Sequence, residues 1–380
     1  MSARLRTTGM VAVLAASALV VSACGSGSDG AGGAAGARAV DIALTADGCP
    51  LPSATLAAGP TTFHVTNSGA DAVTEFEIKQ GDRIVGEKEN LAPGLDGSFS
   101  LSLEPGDYTA YCPGAGTEST GFTVAATGSS PTASSVVEDK LTTATSGYAA
   151  YVEDQTAQLV CATTVFVAAL KAGDTDRAKA LYASTRVFYE RIEPVAESFG
   201  DLDPQIDARE GDVPPAQWGG FHRIEQILWT TGTTAGTGPY ATKLLADVTK
   251  LDTLVQSATY QPAQLANGAT ELLDEVAKSK ITGEEERYSR TDLVDFQANV
   301  EGSKQAFVLL VPALTATDPE LGTTVTERFA ALEALLARHR SGDGFVPYTA
   351  LTEDQVRALA QSVDALAEPL SQVAGKVVVG

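Results

Sequence analysis

The stretch Trp218-Gly-Gly-Phe-His222-Arg-Ile-Glu225-Gln-Ile-Leu-Trp229 carries apolar residues at helical spacing and sets an imidazole three residues before a carboxylate. On a helix, residues i and i+3 share a face. The heads of His222 and Glu225 can therefore reach one point. A ring nitrogen beside a carboxylate oxygen suits Fe, Zn, Cu or Ni. The chain holds only 3 His, which gives weight to one placed in this way. The same spacing also arises by chance, and a hydrogen-bonded core histidine is the competing explanation.

The helical pattern extends to both sides. From about Val136 onward, Ala/Leu/Val-rich runs are broken by Gly, Pro and Asp clusters, and they predict helices near 136–172, 175–199, 216–231, 239–258, 262–279, 290–314, 319–340 and 352–374. Residues 136–380 are expected to form an all-α domain of bundle type. Within it, Tyr189-Glu190-Arg-Ile-Glu193-Pro offers a second pair of carboxylates one turn apart. Facing helices with Glu-x-x-Glu and His-x-x-Glu are a way of building metal sites inside bundles. Downstream, Asp292, Asp295 and Asn299 fall on roughly one face, with Glu301 nearby, whereas Glu284 to Glu286 are expected in a solvated loop.

Upstream the period changes to two. Val40–Leu44, Thr61–Thr66, Thr74–Ile78, Ser98–Leu103 and Phe122–Val124 are rich in β-formers and separated by Gly, Pro and Asn turns. Residues 39–126 are expected to form an all-β sandwich, with 127–135 a linker. A blue-copper centre there would need two His, a Cys and usually a Met. The only methionines are Met1 and Met10 and the only His of this region is His64, which argues against that chemistry. Its carboxylates are the alternative. Glu75 and Glu77 share one strand face, as do Glu87 and Glu89, and a hairpin pairing odd with odd positions would crowd all four. Like charges directly opposite destabilise a sheet, so the face either holds a hard cation or is solvated, with Lys79 and Lys88 nearby.

Residues 1–24 have the form of a secretion signal: Arg4 and Arg6, an apolar run from Met10 to Val21, then Val21-Ser-Ala-Cys24. The small residues before Cys24 resemble a bacterial lipobox, so Cys24 is expected to carry lipid, and 25–38 to form a flexible tether. That places the protein at the outer face of the cytoplasmic membrane. In an oxidising compartment two of the three remaining cysteines are expected to pair. Cys49 and Cys112 lie at the two ends of the β region, leaving Cys161 as a buried thiol in a helix. Acidic residues number 48 against 26 basic ones, for a formal charge of -22, which argues against nucleic acid as a partner.

Taken together, Thr74-Glu-Phe-Glu-Ile, Glu87-Lys-Glu-Asn-Leu-Ala-Pro-Gly94, Leu181 through Pro194, Ile206-Asp-Ala-Arg-Glu210, Phe221-His-Arg-Ile-Glu225, Gly283-Glu-Glu-Glu-Arg-Tyr and Asp295 through Gly302 resemble the EfeO-type iron-uptake lipoproteins over almost all of the mature chain. The resemblance implies a cupredoxin-like sandwich joined to an imelysin-like bundle. It implies an iron-binding component (Fe3+ or Fe2+, with Zn or Cu also suited to the helical site) of an EfeUOB-type system, working with a membrane ferric permease and a haem peroxidase. His222 and Glu225 match the family's His-x-x-Glu motif; Glu75, Glu77, Glu87 and Glu89 match its acidic positions in the first domain. Glu193 and Glu301 are the candidates to complete the helical site. The chain departs from its relatives at Thr242, where an acidic residue is common, and at Arg290, where His is common; Asp247 is a distant substitute for the first. Imelysin-like domains have been classed as metallopeptidases, but a zincin needs His-Glu-x-x-His, so no catalytic residue is expected. A binder of a metal-bridged anionic ligand is the remaining alternative.

Overall fold

The computed structural model describes residues 37–126 and 135–378. The proposed signal, Cys24 and nearly all of the tether and linker lie outside the described residues. Eight strands come first: β1 (Arg38–Leu44), β2 (Thr55–Ala57), β3 (Gly59–Asn67), β4 (Phe76–Gln80), β5 (Arg83–Lys88), β6 (Asp96–Leu103), β7 (Gly106–Tyr111) and β8 (Ser119–Ala125). They form two sheets, ordered β1-β3-β6 and β2-β8-β7-β4-β5. Alternate residues of β1, Val40, Ile42 and Leu44, are buried, as a strand with one solvated face requires. Phe63, Phe76 and Phe99 join the two sheets, with ring centroids 5.1–6.1 Å apart. Cys49 and Cys112 are bonded, with their Cα atoms 6.3 Å apart.

The β4–β5 hairpin pairs Glu77 with Glu87. Beyond the ladder its open end is clamped by Asn67, whose side-chain amide donates to the carbonyls of Val73 (3.0 Å) and Leu91 (2.7 Å). Glu75 and Glu89 are thereby held side by side.

The helices are α1 (Ser135–Ala172), α2 (Thr175–Glu190), α3 (Glu193–Ala196), α4 (Leu202–Asp207), α5 (Gly220–Thr231), α6 (Gly238–Val255), α7 (Pro262–Lys278), α8 (Asp292–Thr317), α9 (Pro319–Leu336), α10 (Glu353–Leu370) and α11 (Val373–Val378), with a short hairpin of β9 (Arg340–Ser341) and β10 (Gly344–Phe345). Their apolar faces share one core that includes Tyr148, Phe166, Phe221, Leu273, Phe307 and Phe329.

Three expected helices are corrected, the last being 352–374, which ends at Leu370 and is followed by the separate α11. The run 175–199 is broken after Glu190, because Pro194 lacks an N–H and is tolerated only in a first turn, where it opens α3. The run 216–231 becomes helical only at Gly220, which has φ +68°, and a Cβ there would clash with the Ile206 carbonyl. That close approach sets the end of α4 against the start of α5. Cys161 is also corrected: it is exposed on α1, on the outward face of the helix.

The two domains touch. Lys88 reaches Glu271 (2.8 Å) and Asp274 (3.1 Å) on α7, and Asn267 of α7 donates to the Ser100 carbonyl (2.7 Å).

Candidate metal centre

His222 and Glu225 lie on the inner face of α5, 2% and 1% exposed. The turn before α8 presents the backbone N–H groups of Tyr288 and Ser289 to Oε1 of Glu225, at 2.9 and 2.6 Å. Arg290, at φ +64°, supports that turn, and its guanidinium donates to the Gly283 carbonyl at 3.1 Å. Only one oxygen of Glu225 is thus spoken for. Its Oε2 faces His222 Nδ1 at 3.7 Å, and Glu286 Oε1 lies 4.0 Å from the same nitrogen. Across the ring, His222 Nε2 faces Asp207 at 3.6 Å and Glu285 at 3.5 Å. Among the described residues, neither ring nitrogen has a hydrogen-bond partner, nor does Glu225 Oε2. Such orphaned buried groups are uncommon. Two sets of ligand atoms, Asp207/His222/Glu285 and His222/Glu225/Glu286, each lie within 4.8 Å of one another.

One buried cation organises the carboxylates. Arg186 of α2, with no exposed surface, pairs with Glu190, Asp207, Glu285 (3.3 Å), Glu286 (2.6 Å) and Asp295 (3.5 Å). Lys280 adds a second charge, touching Glu190, Glu193, Glu275 and Glu285. Burial and Arg186 oppose charge on His222, yet Asp207, Glu225 and Glu285 outweigh them and raise its pKa to about 9. Burial pushes Glu286 well above the carboxylate range, helped by Glu225. Glu285 goes the other way: Lys280, His222 and Arg209 overcome its burial and hold it well below that range. Asp207 and Glu285 are thus largely committed to Arg186 and Arg209. On the Nδ1 side, by contrast, Glu225 Oε2 has no such partner among the described residues.

The remaining sequence candidates fall elsewhere. Glu301 pairs with Arg191 at 2.8 Å and accepts from Gln297 at 3.0 Å, and it belongs to neither group of ligand atoms around His222. Glu193 pairs with Lys280. Glu285 and Glu286, expected in solvent, are buried in the centre. Asp207 and Arg186 were not anticipated; Asp207 ends a helix of six residues, too short for a spacing signal. Thr242 is exposed and bonds the Gly238 carbonyl, while Asp247 pairs with Lys243, so neither reaches the centre.

A second group lies on the sandwich. Glu75, Glu87 and Glu89 offer oxygens within 4.8 Å of one another. Glu77 instead pairs with Lys79 at 2.7 Å. Burial, then Glu89, pushes Glu75 well above its ordinary value; burial raises Glu87 to about 8.

An N-terminal β-sheet region leads into a helical bundle that buries an imidazole among carboxylates, and the chain belongs to the imelysin family, whose model matches residues 144–373. The iron uptake system component EfeO of Escherichia coli K12 is 42% identical over 343 residues, covering 88% of this chain and 90% of that protein. The EfeO proteins of Shigella flexneri and Shigella sonnei match to the same extent. Within the family, the chain is of the EfeO type.

Proposed function

We propose that the protein is a non-catalytic, extracytoplasmic component of an iron-uptake system that binds iron and delivers it to a membrane ferric permease. The observation that carries this is His222, buried between two carboxylate pairs with both ring nitrogens unpartnered among the described residues. Carboxylates favour hard Fe(III), and the imidazole adds affinity for Fe(II), Zn or Cu. The naming of its relatives as iron uptake components supports the same reading. The sandwich is read as cupredoxin-like, with Glu75, Glu87 and Glu89 as a second iron site. Cys24 is read as the lipid attachment that holds the protein at the membrane, beside a haem peroxidase of the same system. Among the described residues, no helix is long and apolar enough to cross a membrane.

The test is calorimetric titration of the metal-free protein with Fe(II), Fe(III), Cu(II) and Zn(II), checked by elemental analysis. His222→Ala with Glu225→Ala should remove one ion per chain. Unchanged stoichiometry and affinity would refute the helical site.

A further inference from the structure

Where the sandwich meets the bundle, a small cavity of about 20 Å³ is lined by Glu87, Glu89, Glu193, Glu197, Glu271 and Glu275. Roughly 10–15 Å³ suffices for one water, so the space suits a single small ion. Three of the six already face a cation: Glu271 holds Lys88 at 2.8 Å, Glu193 holds Lys280, and Glu275 lies more loosely, 3.7 Å from both Lys280 and Arg209. Glu87 and Glu89 come from the sandwich and are the same carboxylates that group with Glu75. Glu197 comes from the 3-10 turn that follows α3, and Glu275 from α7. Among the described residues, Glu87 Oε2 is closed off from solvent and accepts no hydrogen bond.

The position is fixed by tight packing. A Cβ on Gly268 of α7 would clash with the Pro194 carbonyl, so α3 lies directly on α7 and brings Glu197 to the same point as Glu275. Lys280 stands between this cavity and the buried centre, touching Glu193 and Glu275 on one side and Glu285 on the other.

We propose that a di- or trivalent metal ion binds at this junction, held jointly by Glu87 and Glu89 of the sandwich and by Glu197 and Glu275 of the bundle. The junction site rests on the reading that the cargo is a metal ion, but not on the His222 centre being the place where that ion ends. It follows that the sandwich alone cannot form the complete site, because two of its four carboxylates belong to the other domain.

The test titrates the full chain with Fe(II) under anaerobic conditions and, separately, with Tb(III) as a hard trivalent probe. Glu197→Gln and Glu87→Gln should each weaken the same ion at least tenfold, while His222→Ala leaves that ion bound and removes another. Glu→Gln keeps the side-chain shape and relieves repulsion, so the fold should survive; thermal unfolding checks this, and Glu197→Asp, which keeps the charge but shortens its reach, is a second variant expected to weaken the ion. Wild-type binding by both Glu197 variants, with loss in Glu87→Gln, would overturn the proposal and confine the ion to the sandwich. Wild-type binding by all three would overturn it outright. If only His222→Ala were without effect, the buried centre would fail and the junction would stand.

Discussion

His222 Nδ1 and Glu225 Oε2 face each other at 3.7 Å within one helix turn, both buried and neither hydrogen-bonded among the described residues. The separation is too long for a hydrogen bond and fits two ligands of one ion. Because Oε1 is held by two backbone N–H groups, a glutamine can keep that anchor while losing the charge. Glu225→Gln should therefore fold normally and bind metal at least tenfold more weakly, about 1.4 kcal/mol, in a calorimetric titration.

Protons and metal should compete. Metal binding needs neutral imidazole and charged carboxylates, while His222 is raised to about 9 and Glu87 to about 8. Affinity should climb from pH 6 to pH 9, with protons released on binding. Isothermal titration in buffers of different ionisation enthalpy counts them.

Stability of the metal-free protein should run the opposite way. Glu87 and Asp203 are raised from 4.5 and 3.8 to about 8 and about 7, chiefly by burial. A group raised in the fold contributes stability that is full below its unfolded value and lost as pH rises through its folded one. His222 acts in the same sense between 6.5 and about 9. The chelator-treated protein should melt at a higher temperature at pH 5.5 than at pH 8, and bound metal should flatten the difference. A melting temperature that rises with pH in the chelated protein would contradict this.

Arg186→Met should be among the most damaging substitutions. It leaves five carboxylates without their shared cation, and breaking buried pairs from one side costs about 3–5 kcal/mol. Denaturant unfolding measures it. Added divalent metal should recover part of the loss.

Gly220→Ala should separate α4 from α5. The positive φ and the approach of the Ile206 carbonyl both exclude a side chain, at a cost of about 1–3 kcal/mol. Asp207, next along the chain from Ile206, should shift away from His222, which the resonances of the imidazole would report.

Much of the architecture was legible from periodicity. The runs behind α1 and α7 read as helices because their apolar spacing is continuous, whereas the sequence left the hairpin register open, and odd-with-odd pairing is the register that Glu77 and Glu87 adopt. The break at Pro194 was hidden because apolar spacing continues across it. At the centre, His222 and Glu225 were legible as one helix face. Glu285 and Glu286 were not, since an acid-rich loop has the composition of a solvated one, and only the tertiary approach of Arg186 makes their burial tolerable. An arginine within a helix carries no local sign that five carboxylates will close on it.

Arg186 also bears on reuse. A pocket of carboxylates alone would repel itself whenever no ion lay within it. A resident guanidinium, bonded to Glu190, Asp207 and Glu286, holds the walls together without an ion, so a carrier of the kind proposed would survive being emptied and could be filled again.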